Sequence, residues 1–499
     1  MAKAIMIQGT MSNAGKSLLC AALCRIFRQD GYRVAPFKSQ NMALNSYITN
    51  DGFEMGRAQA MQAEAAGLEP SVYMNPILLK PVTNMGSQVI VNGKSIGNMK
   101  AGEYYKMKHT LVPDIMEAYD KLSKNYDIIV IEGAGSPAEI NLKAGDFVNM
   151  GMAKLAKAPV LLVGDIDRGG VFAQLYGTVK LLEKDEQDII KGTVINKFRG
   201  DVSLLKDGLS QIESLIEKPV IGVIPMIDVD IDDEDSLSDR LNYKNNVGLI
   251  DIAVIKLGKI SNFTDMASLE ADENVSVRYV KSVDELGNPD IIIIPGTKNT
   301  IDDLLILRTS GLEVQIKKKA NSGTIIIGIC GGYQMLGETI TDENMTESSN
   351  ISSIEGMGLL PVNTIYAEEK FTTKSKGVIL DAEGKFNKIT GLNVEGYELH
   401  MGKSDIRCDS SARPFIKMDD GREDGCVSGN VYGTYLHGFF DSDEVRNAIL
   451  RYIAREKGVE LTDCISRKEY KEAQYDKLAE SVRNSLDMEM IYKILEEGM

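Results

Sequence analysis

Three observations predict an α/β protein whose first part is a doubly wound, mostly parallel sheet, followed by a second α/β domain. The chain has 499 residues, more than one ordinary hydrophobic core accommodates. Short continuous apolar runs alternate with helical stretches, the pattern of strands buried on both faces. An acidic run, IDVDIDDEDSLSD at 227–239, interrupts that alternation once and reads as a solvated linker. The resulting division is 1–235, a linker at 236–246, a second domain at 247–445 and a charged helical tail at 446–499.

In the first block the expected strands are Lys3 to Gly9, Arg33 to Lys38, Tyr126 to Gly133, Ala158 to Asp165, Lys191 to Lys197 and Pro219 to Pro225. In the second they are Ile250 to Leu257, Val275 to Val280, Asp290 to Pro295 and Thr324 to Ile329. Strand-like segments follow around Gly377 to Leu380, Gly396 to His400 and Gly429 to Leu436.

Composition narrows the function. Hydrophobic residues make up 43% and charged residues 26%, a globular balance. The formal net charge of -16 disfavours a nucleic-acid partner, because an acidic surface repels phosphate backbones. No apolar run is long enough to span a bilayer and no signal peptide precedes the first strand, so a cytoplasmic location without a membrane partner is expected. The six cysteines include no CxxC pair, and a chain this size needs no disulfide staples. Cys20 and Cys24, one helical turn apart, read as buried small residues rather than a metal pair. The sequence carries no mark of oligomeric state.

Residues 9–17, GTMSNAGKS, follow a strand and precede the amphipathic run LLCAALCRIF. Strand, glycine loop and helix are what a phosphate-binding loop requires, since backbone N–H groups and the helix N-terminus then face the anion. Gly9, Thr10, Asn13, Ala14, Gly15, Lys16 and Ser17 are the candidate nucleotide contacts. Lys16 would reach the β- and γ-phosphates of ATP, and the Ser17 hydroxyl would sit on Mg²⁺. Five residues rather than four separate Gly9 from Gly15, a spacing that resembles the dethiobiotin synthetase branch of P-loop enzymes. Glu132 and Asp165 each end an apolar strand, where carboxylates face the ligand crevice and would hold Mg²⁺ directly or through water. Asn196 and Lys197 end a third strand and are candidates for the nucleotide base.

Residues 323–337, GTIIIGICGGYQMLG, run from an apolar strand into Gly328-Ile329-Cys330-Gly331-Gly332 and then a helical pattern. This is the cysteine form of the G-x-S-x-G elbow, with Cys330 as nucleophile. The alternative, a buried inert thiol, leaves the flanking glycines without a purpose. Of the three histidines, His437 in VYGTYLHGFF is the candidate base. His400, in GYELHMG, is the runner-up and a candidate for the same pocket. His109 reads as a surface residue.

A phosphate loop of this spacing and a Cys–His elbow in one chain resemble the glutamine-dependent amidotransferases of cobalamin biosynthesis. Further segments carry the resemblance: APFKSQNMALNS (35–46), DGFEMGRAQAMQA (51–63), MNPILLKP (74–81), GSQVIVNG (86–93), EGAGSPAEINL (132–142), GDIDRGGVFAQLYGT (164–178), INKFRGD (195–201), PGTKNT (295–300) and GYELHMG (396–402). It runs nearly end to end and is weakest in the tail and over 338–355.

The resemblance implies a P-loop domain followed by a glutamine amidotransferase-like domain. It implies ATP and Mg²⁺ as cofactors, and a corrinoid and glutamine as substrates. The reaction implied is amidation of the b, d, e and g carboxylates of adenosylcobyrinic acid a,c-diamide. The same motifs also suit a cobyrinic acid a,c-diamide synthase or another ATP-dependent glutamine amidotransferase. By the same resemblance Cys330 is the nucleophile and His437 its partner. Lys38, with Gln40, Asn41 and Asn45 of the adjoining motif, would contact the transferred phosphoryl group or the substrate. Gly296, Gly331 and His400 would serve the oxyanion and glutamine. General glutamine amidotransferases carry a glutamate two residues after the histidine; here Phe439 holds that position, so another group must orient His437.

Overall fold

The computed structural model describes residues 2–83, 86–231, 248–347, 351–380, 384–462 and 466–499. The linker expected at 236–246, and Cys464, lie outside them. The chain divides into two compact units, one of Met1–Ala43, Phe53–Asp232 and Tyr470–Met499, the other of Leu44–Gly52 and Asp233–Glu469.

The first unit is built on a six-stranded parallel sheet ordered Val220–Pro225, Ile190–Phe198, Val160–Asp165, Lys3–Gly9, Ile128–Glu132, Val34–Phe37. All six strands were legible as apolar runs because both faces of the sheet are covered. Val34–Phe37 and Ile128–Glu132 lie on one side of Lys3–Gly9 and the last three strands on the other, so the crevice at the carboxyl ends opens there. A second sheet of Gln40–Met42, Ile77–Thr83, Gly86–Val91 and Lys94–Lys100 was not expected. Its last strand is almost wholly exposed and lacks apolar alternation, so periodicity gives no signal. A local signal does exist: Asn92 and Gly93 both take positive φ, 47° and 81°, the two-residue Asn-Gly turn of a hairpin.

The second unit has a six-stranded sheet ordered Val275–Val280, Ile250–Ile255, Ile291–Ile294, Ile325–Ile329, Val431–Thr434, Cys426–Ser428. It is parallel except for the short edge strand Cys426–Ser428. A second six-stranded sheet is dominated by the long antiparallel pair Val362–Ile379 and Asn393–Ile406.

Two features differ from the expected domain boundaries. The tail is not one element. Helix Asp443–Lys457 buries Val445, Ile449, Leu450 and Ile453 in the second unit's core, whereas Arg467–Arg483 and Met488–Glu497 bury Tyr475, Leu478, Ala479, Val482, Ile491 and Ile494 in that of the first. An i, i+3, i+4, i+7 stripe drives this, and Arg25 pins it through Glu472 and Asp476, both at 2.8 Å. Conversely, Leu44–Gly52 groups with the second unit, where Ile48 packs with Tyr397 and Leu399. Among the described residues no helix is long and apolar enough to cross a membrane.

Candidate active centres

In the first unit, Gly15 takes φ 92° at the start of helix Lys16–Gln29, and a Cβ there would lie 2.0 Å from Asn196 Nδ2. Only glycine fits both the left-handed backbone and that approach. The Asn196 amide donates to the Ala14 carbonyl (2.9 Å) and Lys197 Nζ to the Asn13 carbonyl (2.6 Å). Both side chains thus brace the loop backbone, a role the sequence reading had not given them. Lys16 Nζ donates to the Met11 and Gly135 carbonyls at 3.0 and 3.1 Å. Thr10 donates to Gln174 Oε1 at 3.0 Å.

Glu132 is the hub of this centre. Ser17 Oγ and Lys38 Nζ each donate to its Oε1 at 2.8 Å, and Gln62 and Gln59 donate to its Oε2 at 2.6 and 3.3 Å. Burial alone would raise the Glu132 carboxyl, but Lys38 beside it and Gln62 hold it below its ordinary value. Sequence reasoning missed Gln59 and Gln62, which sit one turn apart on helix Arg57–Ala65. Asp165 lies on the other side of Lys3–Gly9 and pairs with Lys197 at 2.9 Å. The structure therefore joins Ser17 to Glu132 and gives Asp165 a separate partner.

Asn41 Nδ2 donates to Gln59 Oε1 at 2.9 Å, and Tyr104 OH donates to Gln40. Asn45 falls within the second unit and is buried. Cys20 and Cys24 are core thiols that burial pushes up, Glu132 adding to the effect at Cys20. His109 is exposed.

In the second unit, Cys330 follows strand Ile325–Ile329 with φ 52° and ψ -110°, a strained turn for a non-glycine residue. Its neighbours permit the turn. A Cβ on Gly332 would lie 1.9 Å from the Ile294 carbonyl oxygen, and one on Gly328 2.6 Å from Leu336 Cδ1. Helix Gly331–Leu336 begins immediately after it, and a helix N-terminus favours negative charge.

His437 lies three residues beyond the neighbouring strand Val431–Thr434, and Gly296 two residues beyond Ile291–Ile294. A Cβ on Gly296 would meet both His437 Cε1 (3.1 Å) and Cys330 Cβ (3.7 Å), so the three residues converge at the carboxyl ends of one parallel sheet. Cys330 Sγ also lies 3.6 Å from the Leu399 carbonyl.

His437 is 1% exposed, and its Nδ1 contacts Asp265 Oδ2 at 2.7 Å. Burial pushes the imidazole down, yet the Asp265 carboxylate and then the Cys330 hydrogen bond push it up to about 10. The buried Asp265 carboxylate thus favours the charged form of the ring. Tyr397 stacks on it, with ring centroids 5.0 Å apart. Sequence reasoning did not find Asp265, which is 172 residues away in the chain. It lies in the turn Phe263–Met266, well beyond the end of strand Ile250–Ile255, so the strand-end rule that selected Glu132 does not reach it.

His400 does not take the place of His437. It stacks on Tyr435, with centroids 3.8 Å apart, contacts the Gly402 carbonyl through Nδ1 at 2.8 Å, and lies 3.5 Å from Glu398 through Nε2. Arg422 grips Glu398 with a two-pronged fork at 2.9 and 3.0 Å. Burial would raise Glu398, but His400, Arg422 and Ser375 together hold it down at about 2.

Comparison with known proteins agrees with both halves. Residues 5–237 match the family model described as the CobQ/CobB/MinD/ParA nucleotide binding domain, and 251–445 that of the CobB/CobQ-like glutamine amidotransferase domain. The chain is 59% identical to "Cobyric acid synthase" of Ruminiclostridium cellulolyticum, covering 100% of this chain and 98% of the relative. Identity to the protein of the same name from Lachnoclostridium phytofermentans is 55%, with 100% of each chain covered. The Clostridium acetobutylicum protein of that name is 52% identical over 98% of each. The chain belongs to the cobyric acid synthase family, glutamine amidotransferase ligases of cobalamin biosynthesis.

Proposed function

We propose that this enzyme uses ATP and glutamine to amidate the b, d, e and g carboxylates of adenosylcobyrinic acid a,c-diamide. The observation that carries the reading is the strained Cys330 beside a buried imidazole that contacts Asp265 through Nδ1. The Cys330 thiolate attacks the side-chain amide of glutamine. The S–C bond forms, the oxyanion is received near the Gly331 and Gly296 backbone, and the C–N bond breaks as the His437 imidazolium gives its proton to the departing ammonia. Neutral His437 then takes a proton from water, which hydrolyses the thioester to glutamate and restores the thiolate–imidazolium pair.

A carboxylate resists attack by ammonia until its oxygen becomes a leaving group. Phosphoryl transfer from ATP supplies one as an acyl phosphate. Lys16 and Lys38 neutralise the charge of the transferring group, and phosphate leaves when ammonia adds. The hydroxyl of Ser17 and the carboxylate of Glu132, 2.8 Å apart, are hard oxygen donors of the kind Mg²⁺ takes. They would hold the ion where it offsets phosphate charge, with Asp165 beyond them acting through water. Gln40, Asn41 and Asn45 are the proposed substrate contacts.

The test offers the corrinoid with ATP and either glutamine or ammonium, counting amides by mass. Cys330→Ala should abolish the glutamine-driven reaction and keep the ammonium-driven one at high pH. Glutamine-driven turnover by that variant would refute the assignment. Fewer amides on this corrinoid, or turnover only of its precursor, would favour the a,c-diamide synthase.

A further inference from the structure

The residue that orients His437 is absent from its usual place: Phe439 is buried and apolar. Asp265 comes instead from the single turn Phe263–Met266, set by Asn262 at φ 52°, with Asp265 N–H donating to the Asn262 carbonyl at 3.0 Å. Only 3% of Asp265 is exposed, and both carboxylate oxygens are engaged. Oδ2 accepts from His437 Nδ1 at 2.7 Å, and Oδ1 from the Gly438 backbone N–H at 3.0 Å. The carboxylate thus grips the ring and the backbone next to it, which fixes the imidazole's position as well as its protonation.

We propose that Asp265 is the positioning residue of a Cys330–His437–Asp265 relay, holding the Nδ1–H of His437 so that Nε2 faces the sulfur and can protonate the departing ammonia. The proposal rests on reading Cys330 and His437 as the glutaminase centre. An acceptor on Nδ1 leaves Nε2 as the only ring nitrogen that can serve the thiol. The buried negative charge also supports the imidazolium formed during each turnover.

The geometry makes asparagine a sharp probe. Asp265 faces two donors with two acceptors, whereas an asparagine carries one acceptor and one NH₂ group. If its oxygen serves the Gly438 N–H, its NH₂ faces Nδ1 and forces the proton onto Nε2. If its oxygen serves Nδ1, the NH₂ opposes the backbone N–H and the loop carrying His437 must shift. Either outcome damages the relay while side-chain volume is unchanged.

The experiment measures glutamine hydrolysis and ammonium-driven amidation by full-length Asp265→Asn, His437→Ala, the double variant and Cys330→Ala. Asp265→Asn should lower kcat for glutamine hydrolysis by about 100-fold or more, with KM for glutamine within about twofold. It should also move the alkaline limb of the pH–rate profile to lower pH than in wild type, because the Asp265 carboxylate is what raises the imidazole, and leave ammonium-driven amidation intact. The double variant should lose no more than His437→Ala alone, because both losses act through one ring. The relay is overturned if Asp265→Asn hydrolyses glutamine within about threefold of wild type with an unmoved profile. It is equally overturned if both reactions fall together or if the two losses add. Cys330→Ala separates the premises: if it retains glutamine-driven turnover, the glutaminase assignment itself falls.

Discussion

Replacing Arg422 with methionine keeps an apolar stem beside Phe371 but removes the fork on Glu398. Glu398 is fully buried and held at about 2 rather than 4.5. At about 1.36 kcal/mol per pKa unit, that shift corresponds to about 3 kcal/mol of folding stability. His400 and Ser375 share that hold and the Arg422 side chain is 38% exposed, so water screens part of its pairing and a loss of about 2 kcal/mol is expected. In a unit of this size that lowers the melting temperature by about 4–8 °C.

The pH dependence has a definite sign. A depressed carboxyl contributes its stability above the unfolded value of 4.5 and loses it as pH falls toward the folded value of about 2. The gap between wild type and Arg422→Met should therefore be full at neutral pH and close across that interval. Thermal melts followed by circular dichroism at several pH values read it directly. Adding Glu398→Gln to Arg422→Met should recover much of the loss, since no buried charge is then left unpaired. Equal melting temperatures at neutral pH, or a gap that does not close in acid, would refute the reasoning.

Lys16→Ala should abolish ATP-dependent amidation and leave glutamine hydrolysis in place, as assays of both reactions would report; equal loss of the two would count against separate centres. Glu132→Gln puts an NH₂ group among donors from Ser17, Lys38, Gln59 and Gln62. It should cost about 2–4 kcal/mol in a denaturant titration and lose amidation with either nitrogen source. Gly332→Ala forces a methyl group against the Ile294 carbonyl oxygen, 1.9 Å away and fixed in a strand. It should cost about 3 kcal/mol or more and eliminate glutamine hydrolysis, while Gly177→Ala, on helix Val171–Leu181 where a methyl group meets nothing within 4 Å, serves as the contrast.

The parallel strands of both units, the loop from Gly9 to Ser17 and the turn at Cys330 were legible from the sequence because each is a local pattern. A strand buried on both faces is continuously apolar, and a backbone so close to another that a Cβ would lie 1.9 Å from its carbonyl oxygen tolerates only glycine. His437 was found because few histidines compete for the role. The hairpin sheet after Gln40 was not, since its outer strand Lys94–Lys100 is exposed and carries no period. The tail's split between units depended on which apolar stripe found which core.

Asp265 belongs wholly to the tertiary structure. Its carboxylate lies 172 residues from His437, and what makes it matter is a distance of 2.7 Å created when the segments beyond two strands of one sheet come together. The sequence determined which groups are candidates for the chemistry, because side-chain type and local turn geometry are written in consecutive residues. Packing alone decided their partners, Glu132 for Lys38 and Ser17, Asp165 for Lys197, Asp265 for His437, because burial forces each charge to find a counter-group across space rather than along the chain.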